Sequence, residues 1–230
     1  MDVILIPGFW LDASAWDEVV PAVAATGHTP HPITLPGLVP ADPQIGLRDQ
    51  IDYVVKLVDA AAGPVVLVGH SGGGAVAHGV VDARPDRIAK VVYVDSGPLG
   101  EGGVINDGFT AVDGMVALPP RDEFDDETVV DMDDEVWAAF AARAIPIPEK
   151  VASEKQVLSN ERRYDVPVTV ITSEMPEAVL RDLMAKDHPY VAELKKIKNF
   201  EIVELPTGHW PMLTRPAELA AMVAAALPQR

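Results

Sequence analysis

The sequence predicts an α/β fold, with a mostly parallel sheet of about six strands flanked by helices. Short apolar runs rich in β-branched residues alternate along the chain with stretches of helical periodicity. Such alternation is typical of repeated βαβ units. One run, Val65-Val66-Leu67-Val68, is apolar at every position, as expected for a parallel strand that is covered on both faces.

Composition narrows the possible functions. The chain has 230 residues, of which 48% are hydrophobic and 23% charged, values that are ordinary for one globular α/β domain with an insertion. It has no cysteine, which excludes a disulfide framework, a thiolate metal site and a cysteine nucleophile. The net charge of −17 opposes binding to nucleic acid or to an anionic membrane. We therefore expect a cytoplasmic protein, a monomer or homodimer, whose partner is a small molecule.

The predicted strands are the apolar runs of this alternation. They are Val3–Ile6, His31–Leu35, Val65–Val68, Val91–Val94, Val168–Thr172 and Glu201–Leu205. The first run is only four residues long and lacks a basic segment before it, so we interpret it as a strand rather than a signal peptide. No apolar run approaches the roughly 18 residues of a membrane span.

The predicted helices lie between these strands. Apolar stripes at helical spacing are Trp16, Val19, Val20 and Val23, and then Ile51, Val54, Val55 and Val58. For the first of these helices we predict Ser14 as the cap and Gly27 as the end, and the second ends before Gly63-Pro64. A third helix is predicted from about Gly72 to Arg84, and a last one from about Pro216 to Leu227 with proline in its first turn.

The alternation stops between residues 98 and 165. These 68 residues contain no convincing strand, and they are too many for a loop. We predict a helical cap or lid (98–165) inserted into a core formed by residues 1–97 and 166–230. Within it, Asp122 to Glu135 contains nine acids and no base. A solvated face or a loose lid segment is the ordinary explanation of such a run, and a basic partner or a bound cation is the alternative.

A nucleophile motif follows the third predicted strand. The sequence Gly69-His70-Ser71-Gly72-Gly73 has the pattern G-x-S-x-G between a strand and a small-residue helix, which holds a serine on a sharp turn with its hydroxyl exposed. A serine of ordinary pKa needs a base. Among six histidines, only His209 follows a strand at the same edge of the sheet as Ser71. The other five, His28, His31, His70, His78 and His188, are predicted to be structural or exposed.

A third component is an oxyanion hole. Backbone N–H groups of the residue after the nucleophile and of the loop after the first strand can form it. Gly72 supplies the first, and Phe9 in the loop Pro7-Gly8-Phe9-Trp10 is placed to supply the second. The helix N-terminus at Gly72 adds favourable charge for a negative oxygen.

These motifs resemble the α/β-hydrolase superfamily over the span from Val3 to Leu227. The chain start is similar to the compact methylesterase and hydroxynitrile-lyase group. Phe9-Trp10-Leu11-Asp12-Ala13-Ser14-Ala15-Trp16, Gly27-His28 and Leu35-Pro36-Gly37 carry that similarity. The resemblance implies Ser71 as nucleophile, His209 as base, Phe9 and Gly72 as oxyanion donors, and residues 98–165 as a cap. We expect Trp10, Trp210 and Trp137 to line the substrate pocket.

The acid departs from the family pattern. An aspartate usually follows the strand here predicted at Val168–Thr172, but this chain continues Ser173-Glu174-Met175-Pro176-Glu177. Glu174 is the first choice, because it is nearest the strand end. Asp95, at the end of the preceding strand, is the alternative, although it can instead anchor the turn that enters the cap. Glu177 is a more distant candidate.

The predicted function is a serine hydrolase of a small carboxylic ester that needs neither a metal nor an organic cofactor. Three alternatives remain. Gly72-x-Gly74-x-x-Ala77 with Asp95 formally matches a dinucleotide fingerprint, but it follows the third strand instead of the first. A ligand-binding module could retain the triad without turnover. Hydroxynitrile-lyase chemistry, which in relatives needs a lysine, is the third, and Lys186 is too far beyond the strand to place.

Overall fold

Residues 1–229 of the computed structural model form a six-stranded parallel sheet with helices on both faces. The strands of the chain are β1 (Asp2–Ile6), β2 (Thr29–Pro32), β3 (Val65–His70), β4 (Ile88–Val94), β5 (Met115–Val116), β6 (Ile147–Pro148), β7 (Val168–Thr172) and β8 (Phe200–Glu204). The helices are α1 (Val19–Ala25), α2 (Leu47–Ala60), α3 (Gly72–Ala83), α4 (Asp134–Arg143), α5 (Glu149–Ser153), α6 (Glu177–Ala185), α7 (Pro211–Thr214) and α8 (Pro216–Ala226). This confirms the predicted fold class.

The large sheet has the strand order β2-β1-β3-β4-β7-β8, and all its pairs are parallel. The central strand β3 is buried along its whole length, and its Val65, Val66, Leu67 and Val68 are each 0% exposed. The carboxyl ends of all these strands therefore meet at one edge. The order in which strands are added to the sheet reverses at β1, since β2 lies on one side of it and β3 on the other. Ligands of open α/β sheets bind at this edge, near such a reversal.

The second strand differs from its prediction. It spans Thr29–Pro32 instead of His31–Leu35. The N–H groups of Thr29 and Ile33 donate to the carbonyl oxygens of Met1 and Leu5 in the neighbouring strand segment. The backbone nitrogens of the alternate residues, Pro30 and Pro32, therefore point to the free edge of the sheet. Proline lacks an N–H and is tolerated there. The predicted strand begins two residues and ends three residues too far along the chain.

The entry to the first helix also differs. Residues Ala13–Trp16 form a 3₁₀ helix, and its cap is Asp12, whose carboxylate accepts the N–H of Ser14 at 2.9 Å. The prediction of Ser14 as the cap is therefore wrong. The α-helix begins only at Val19, and the chain turns at Gly27 with φ of 82°, a left-handed conformation that favours glycine.

Residues 98–165 are more irregular than predicted. They contain α4 and α5, two 3₁₀ helices at Arg121–Glu123 and Glu161–Asp165, and the antiparallel pair β5–β6. The prediction that this stretch holds no strand is wrong, because Met115–Val116 pairs with Ile147–Pro148. Two-residue strands are too short to give a periodic sequence signal. No helix within residues 1–229 is long and apolar enough to cross a membrane.

Candidate active site

Ser71 lies on a strained turn between β3 and α3. Its φ is 50° and its ψ is −124°, a conformation that costs energy for a residue with a Cβ atom and that is typical of functional sites. The flanking glycines are required by space. A Cβ at Gly69 would lie 2.7 Å from the carbonyl oxygen of Gly73, and one at Gly73 would lie 2.6 Å from that of Pro7. Only glycine at both positions allows this turn.

His209 lies beside this turn. Its Nε2 is 2.8 Å from Ser71 Oγ, and its Nδ1 is 2.6 Å from Asp95 Oδ2. With the ring proton on Nδ1, the ring donates to Asp95 and accepts the hydrogen bond of the serine hydroxyl. The backbone of His209 is also held, since its N–H donates to Thr128 O at 2.8 Å and its carbonyl accepts the Nε2–H of His70 at 2.7 Å.

Two carboxylates contact the same ring nitrogen. Asp95 Oδ2 is 2.6 Å from His209 Nδ1, whereas Glu174 Oε2 is 3.3 Å from it. The other oxygen of Asp95 accepts the backbone N–H groups of Ser173 at 2.8 Å and of Glu174 at 3.0 Å. The distances thus reverse the expected order of the two acids. Glu177 is not involved, because its carboxylate pairs with Arg181 on α6.

The charges of this group support one another. Burial alone would lower the pKa of His209, but the hydrogen bonds and charges of Asp95 and Glu174 outweigh it and raise that pKa to about 9. The hydrogen bond with His209 lowers the pKa of Glu174, although burial opposes this, and the Thr128 hydroxyl lowers it further. His70 behaves differently, since burial and the neighbouring His209 lower its pKa to about 3. His70 is therefore a neutral donor to the His209 carbonyl.

The loop after β1 packs directly against the nucleophile turn. A Cβ at Gly8 would lie 2.8 Å from Ser71 Cβ, and one at Gly72 would lie 2.6 Å from the Phe9 ring. Trp10 has a φ of 62°, and its Nε1 donates to Val116 O at 3.3 Å. A left-handed tryptophan is strained, so the surrounding contacts must hold this loop in place. Phe9 and Gly72, the predicted oxyanion donors, are brought together beside Ser71.

A cavity of about 920 Å³ opens above these residues. Ser71, Asp95, Glu174 and His209 all contribute to its lining. Much of its wall is apolar and includes Leu99, Ile105, Val170, Leu180 and Leu194. This volume lies in the range of pockets for small organic ligands.

The structure corrects the predicted pocket residues. Among the described residues, Trp10, Trp137 and Trp210 do not contribute to the lining of this cavity. Trp210 instead stacks at ring-centroid distances of 6.4 Å from both Trp10 and Trp137, and 5.1 Å from Phe140. Tilted and edge-to-face packing of aromatic rings stabilises a core. The tryptophans fix the first loop, the insertion and the His209 turn relative to one another.

The remaining histidines have structural surroundings. His28 and His78 are buried, and His31 pairs with Asp2. His78 forms two hydrogen bonds of 3.1 Å, from Nδ1 to the Tyr93 hydroxyl and from Nε2 to Glu193 Oε1. Burial alone would raise the pKa of Glu193, but the hydrogen bonds from His78 and Arg163 lower it to about 2. His188 caps the 3₁₀ helix Pro189–Val191.

The site residues can be compared with what a bound metal ion or a dinucleotide would require. Asp95, Glu174 and His209 are grouped closely enough to hold a cation, but their hydrogen bonds to one another and to Ser71 already use the atoms that would bind it. A dinucleotide site would need free space beside the glycines at the start of α3. The Phe9 ring fills the space at Gly72, and Ser96 Oγ lies 2.1 Å from a Cβ position at Gly74. These residues do not fit a pyrophosphate.

Sequence reasoning missed two residues of the site, Thr128 and His70. Thr128 donates to Glu174 Oε1 at 2.8 Å and accepts the N–H of His209, and it lies within the acidic segment that was interpreted as solvated. No local motif indicates such a contact, because 81 residues separate it from His209. His70 is adjacent to Ser71, but its role depends on the return of the chain from β8.

Two known proteins have sequences similar to this chain. A pyrethroid hydrolase from Sphingobium wenxiniae is 33% identical over 97 residues, which span 40% of this chain and 35% of that protein. Lipase LipV from Mycobacterium tuberculosis is 27% identical over 190 residues, 73% of this chain and 70% of that protein.

Solved structures show the same fold. An extracellular alpha/beta-hydrolase from a Paenibacillus species has a TM-score of 0.78 at 23% identity, covering 98% of both chains. A methylesterase from Arabidopsis has a TM-score of 0.74 at 18% identity, again covering 98% of both chains. The predicted resemblance to this superfamily is confirmed, and the names of these proteins agree with the prediction of a carboxylic ester hydrolase. Residues 3–222 match the alpha/beta hydrolase family, and the chain belongs to that family.

Proposed function

We propose that this protein is a serine hydrolase that cleaves a small carboxylic ester through an acyl-enzyme on Ser71. The observation that carries the proposal is the continuous hydrogen-bonded chain from Ser71 Oγ through His209 to Asp95, with distances of 2.8 and 2.6 Å. This is the geometry in which a base can take the serine proton while a carboxylate stabilises the resulting imidazolium. The pyrethroid hydrolase and lipase among the relatives support an ester as substrate.

The reaction proceeds in two halves. Ser71 Oγ forms a bond to the ester carbonyl carbon while its proton passes to His209 Nε2. The negative oxygen of the tetrahedral intermediate accepts hydrogen bonds from the N–H groups of Phe9 and Gly72. His209 then gives the proton to the departing alkoxide, the carbon–oxygen bond breaks and the alcohol leaves. Water attacks the acyl-enzyme, its proton passes to His209 and then to Ser71 Oγ, and the carboxylic acid is released.

Asp95 is the carboxylate of the proposed triad. It makes the shorter contact with Nδ1, and its second oxygen is fixed by two backbone N–H groups. A carboxylate that accepts this many hydrogen bonds keeps its charge and its position. Glu174, the acid favoured by the sequence, is a second carboxylate at a longer distance from the same nitrogen.

The cavity supports a neutral, largely apolar substrate. Leu99, Ile105 and Val170 provide apolar wall on the way to Ser71, and apolar wall binds hydrocarbon groups of an acyl chain or alcohol. Glu101, Asp125 and Glu127 line the same cavity with Lys196 as a basic residue. Esters of dicarboxylic acids that keep a free carboxylate are disfavoured there by charge repulsion.

A fluorophosphonate probe tests the enzyme class and the nucleophile together. The wild-type protein should be labelled on the peptide that contains Ser71 and should hydrolyse a short p-nitrophenyl ester. Ser71→Ala should lose labelling and turnover by a factor on the order of a million in kcat. Ser153→Ala is the matched control, since this exposed serine only bonds Glu149 O on its own helix. Labelling of a different serine in the Ser71→Ala protein would refute the assignment.

One observation keeps a lyase as the second candidate. Lys186, the lysine considered from sequence, is 70% exposed and pairs with Asp182 on α6. Lys196, in contrast, lines the cavity, and its Nζ is 3.4 Å from Glu193. Cyanide release from a cyanohydrin without ester turnover would favour the lyase. Labelling without either reaction would favour a ligand-binding module.

A further inference from the structure

One residue of the insertion contacts both His209 and Glu174. The carbonyl oxygen of Thr128 accepts the backbone N–H of His209 at 2.8 Å, and its hydroxyl donates to Glu174 Oε1 at 2.8 Å. Thr128 itself is held in a turn, because its N–H donates to Asp125 O at 3.0 Å. Thr128 therefore links the acidic segment, residues 122–135, to two side chains of the site.

The segment passes very close to the His209 turn. A Cβ at Gly208 would lie 2.5 Å from Thr128 O and 2.8 Å from Val130 O, so the two backbones are in direct contact. Met132 of the segment is only 2% exposed. The part of the acidic segment that holds Thr128 is therefore packed on the core, although its charged side chains face outward.

Glu174 depends on this contact for its position. Its side chain is 34% exposed, and a glutamate that is ordered at a surface loses considerable rotamer entropy. Oε1 accepts the Thr128 hydroxyl, and this directs Oε2 towards His209 Nδ1 at 3.3 Å. Because Asp95 is closer, it accepts the hydrogen bond of the Nδ1–H group, and Glu174 acts on the ring mainly through its charge.

We propose that Thr128 is a positioning residue that holds Glu174 against His209 as a second carboxylate, so that the insertion helps to set the pH range in which the base works. This inference depends on the proposed function, because it needs His209 to be the base. It adds a role for the insertion that is separate from covering the substrate.

Other titratable groups also face His209. His70 lies below it with a ring-centroid distance of 5.1 Å. Tyr190, Asp125, Glu127 and Lys196 line the same cavity as His209. His70 is neutral, and the pKa of Tyr190 is raised by burial and by Asp95 and Glu174, so neither carries charge near neutral pH. Asp125, Glu127 and Lys196 are unchanged in the variants of the experiment, and their charges are screened by solvent.

The direction of the effect follows from charge. Burial lowers the pKa of His209, and the two carboxylates together raise it to about 9. If Glu174 is removed or allowed to swing away, less negative charge stabilises the imidazolium. The neutral, active base then appears at lower pH. The acidic limb of the kcat/KM profile, the range in which the rate rises with pH, therefore moves to lower pH.

The experiment compares pH profiles of kcat/KM on a p-nitrophenyl ester. Thr128→Val removes the hydroxyl and keeps the shape and the carbonyl, and Glu174→Gln removes the charge. Both should move the acidic limb to lower pH by roughly one unit, and the double variant should move it no further. Thr128→Ser should restore the wild-type limb. Thr207→Val is the matched control, because this buried threonine in the same turn bonds Thr214 and should leave the limb in place.

The outcomes separate a positioning role from a structural one. A Thr128→Val protein with a lower melting temperature but an unmoved limb would overturn the proposal. So would a double variant whose shift is the sum of two independent shifts. Should Thr128→Val fail to fold, Thr128→Ala tests the same hydroxyl. A histidine NMR titration of Glu174→Gln should show the same shift, with the wild-type protein and Thr128→Ser as the unshifted references. Failure of the proposed function looks different, since the wild-type protein would then hydrolyse no ester and leave Ser71 unlabelled.

Discussion

The turns after β4 and β7 each bring a carboxylate to the same ring nitrogen, but they hold it in different ways. Asp95 has a φ of 40°, is 8% exposed, and accepts two backbone N–H groups with one oxygen. Glu174 is 34% exposed, and its side chain is held by a hydroxyl from the insertion. A short side chain on a strained turn is fixed by the core itself. A longer one on an ordinary turn needs another part of the chain to fix it.

This difference separates two tasks. Asp95 cannot move without breaking its hydrogen bonds to the backbone N–H groups of Ser173 and Glu174 after β7, so it fixes the ring and its tautomer. Glu174 can move when the insertion moves, so it can only adjust the charge around the ring.

Asp95→Asn should have the largest effect. An amide that donates to His209 Nδ1 forces the ring proton onto Nε2, which then cannot accept the proton of Ser71. We expect kcat to fall on the order of a thousandfold to ten-thousandfold, with a modest loss of melting temperature because one oxygen can still accept the backbone N–H groups. Stopped-flow or steady-state hydrolysis of a p-nitrophenyl ester measures it.

Asp86→Asn is the control for that substitution, since Asp86 pairs with Arg162 at the surface and should keep full activity. The sequence alone ranks the acids the other way, with Glu174 as the larger effect. If Asp95→Asn stays within tenfold of the wild type while Glu174→Gln is inactive, the division proposed here is reversed.

The pH profile of the wild-type protein tests both carboxylates at once. The pKa of His209 is raised to about 9, so below that pH most of the rings are protonated and only the neutral fraction can act as a base. The rate should therefore rise up to about pH 9 and should be roughly a hundredfold lower at pH 7, since each unit below the pKa reduces the neutral fraction about tenfold. An unperturbed histidine would give a limb between about pH 6 and 7. A profile that is flat from pH 7 to 9 would contradict the influence of the two acids.

Gly208→Ala should have an intermediate effect through the insertion. The added methyl would lie 2.5 Å from Thr128 O, so the acidic segment or the His209 turn must shift. A displacement near 1 Å at a catalytic group costs on the order of a hundredfold in rate. We expect a drop of roughly tenfold to a hundredfold in kcat/KM, together with a limb at lower pH because Glu174 is released.

Gly63→Ala is the matched control, because nothing lies within 4 Å of its Cβ position. It should leave rate and pH profile unchanged. A Gly208→Ala protein with wild-type kinetics would mean that the insertion can move without any effect on the site.

The same contrast explains which parts were predictable from sequence. The central strands were found because they are buried on both faces, and Val168–Thr172 was predicted with its observed ends. Ser71 and His209 were found because each has a local signal, a glycine-flanked turn or a position just after a strand. The order of the two acids was not predicted, since it depends on the left-handed turn at Asp95 and on Thr128, which lies 46 residues from Glu174. Contacts between distant segments of irregular backbone leave no periodic pattern.

The last and smallest effect concerns the ion pair that joins the acidic segment to the start of α8. Arg215 Nη2 lies 2.8 Å from Asp131 Oδ2, and the two side chains are 44% and 37% exposed. Exposed pairs of this kind contribute little to stability, and the buried Met132 beside it already holds the segment. Arg215→Gln should therefore lower the melting temperature by no more than about 2 °C, a difference that should vanish at high salt.

The kinetic profile of Arg215→Gln decides what holds Thr128 in place. It should keep the wild-type acidic limb, as should the control Arg84→Gln, which removes the exposed pair with Asp59 on the core. If Arg215→Gln instead moves the limb as Thr128→Val does, the segment is positioned by charge rather than by packing. The second carboxylate would then respond to ionic strength, and the same shift would appear in the wild-type protein at high salt.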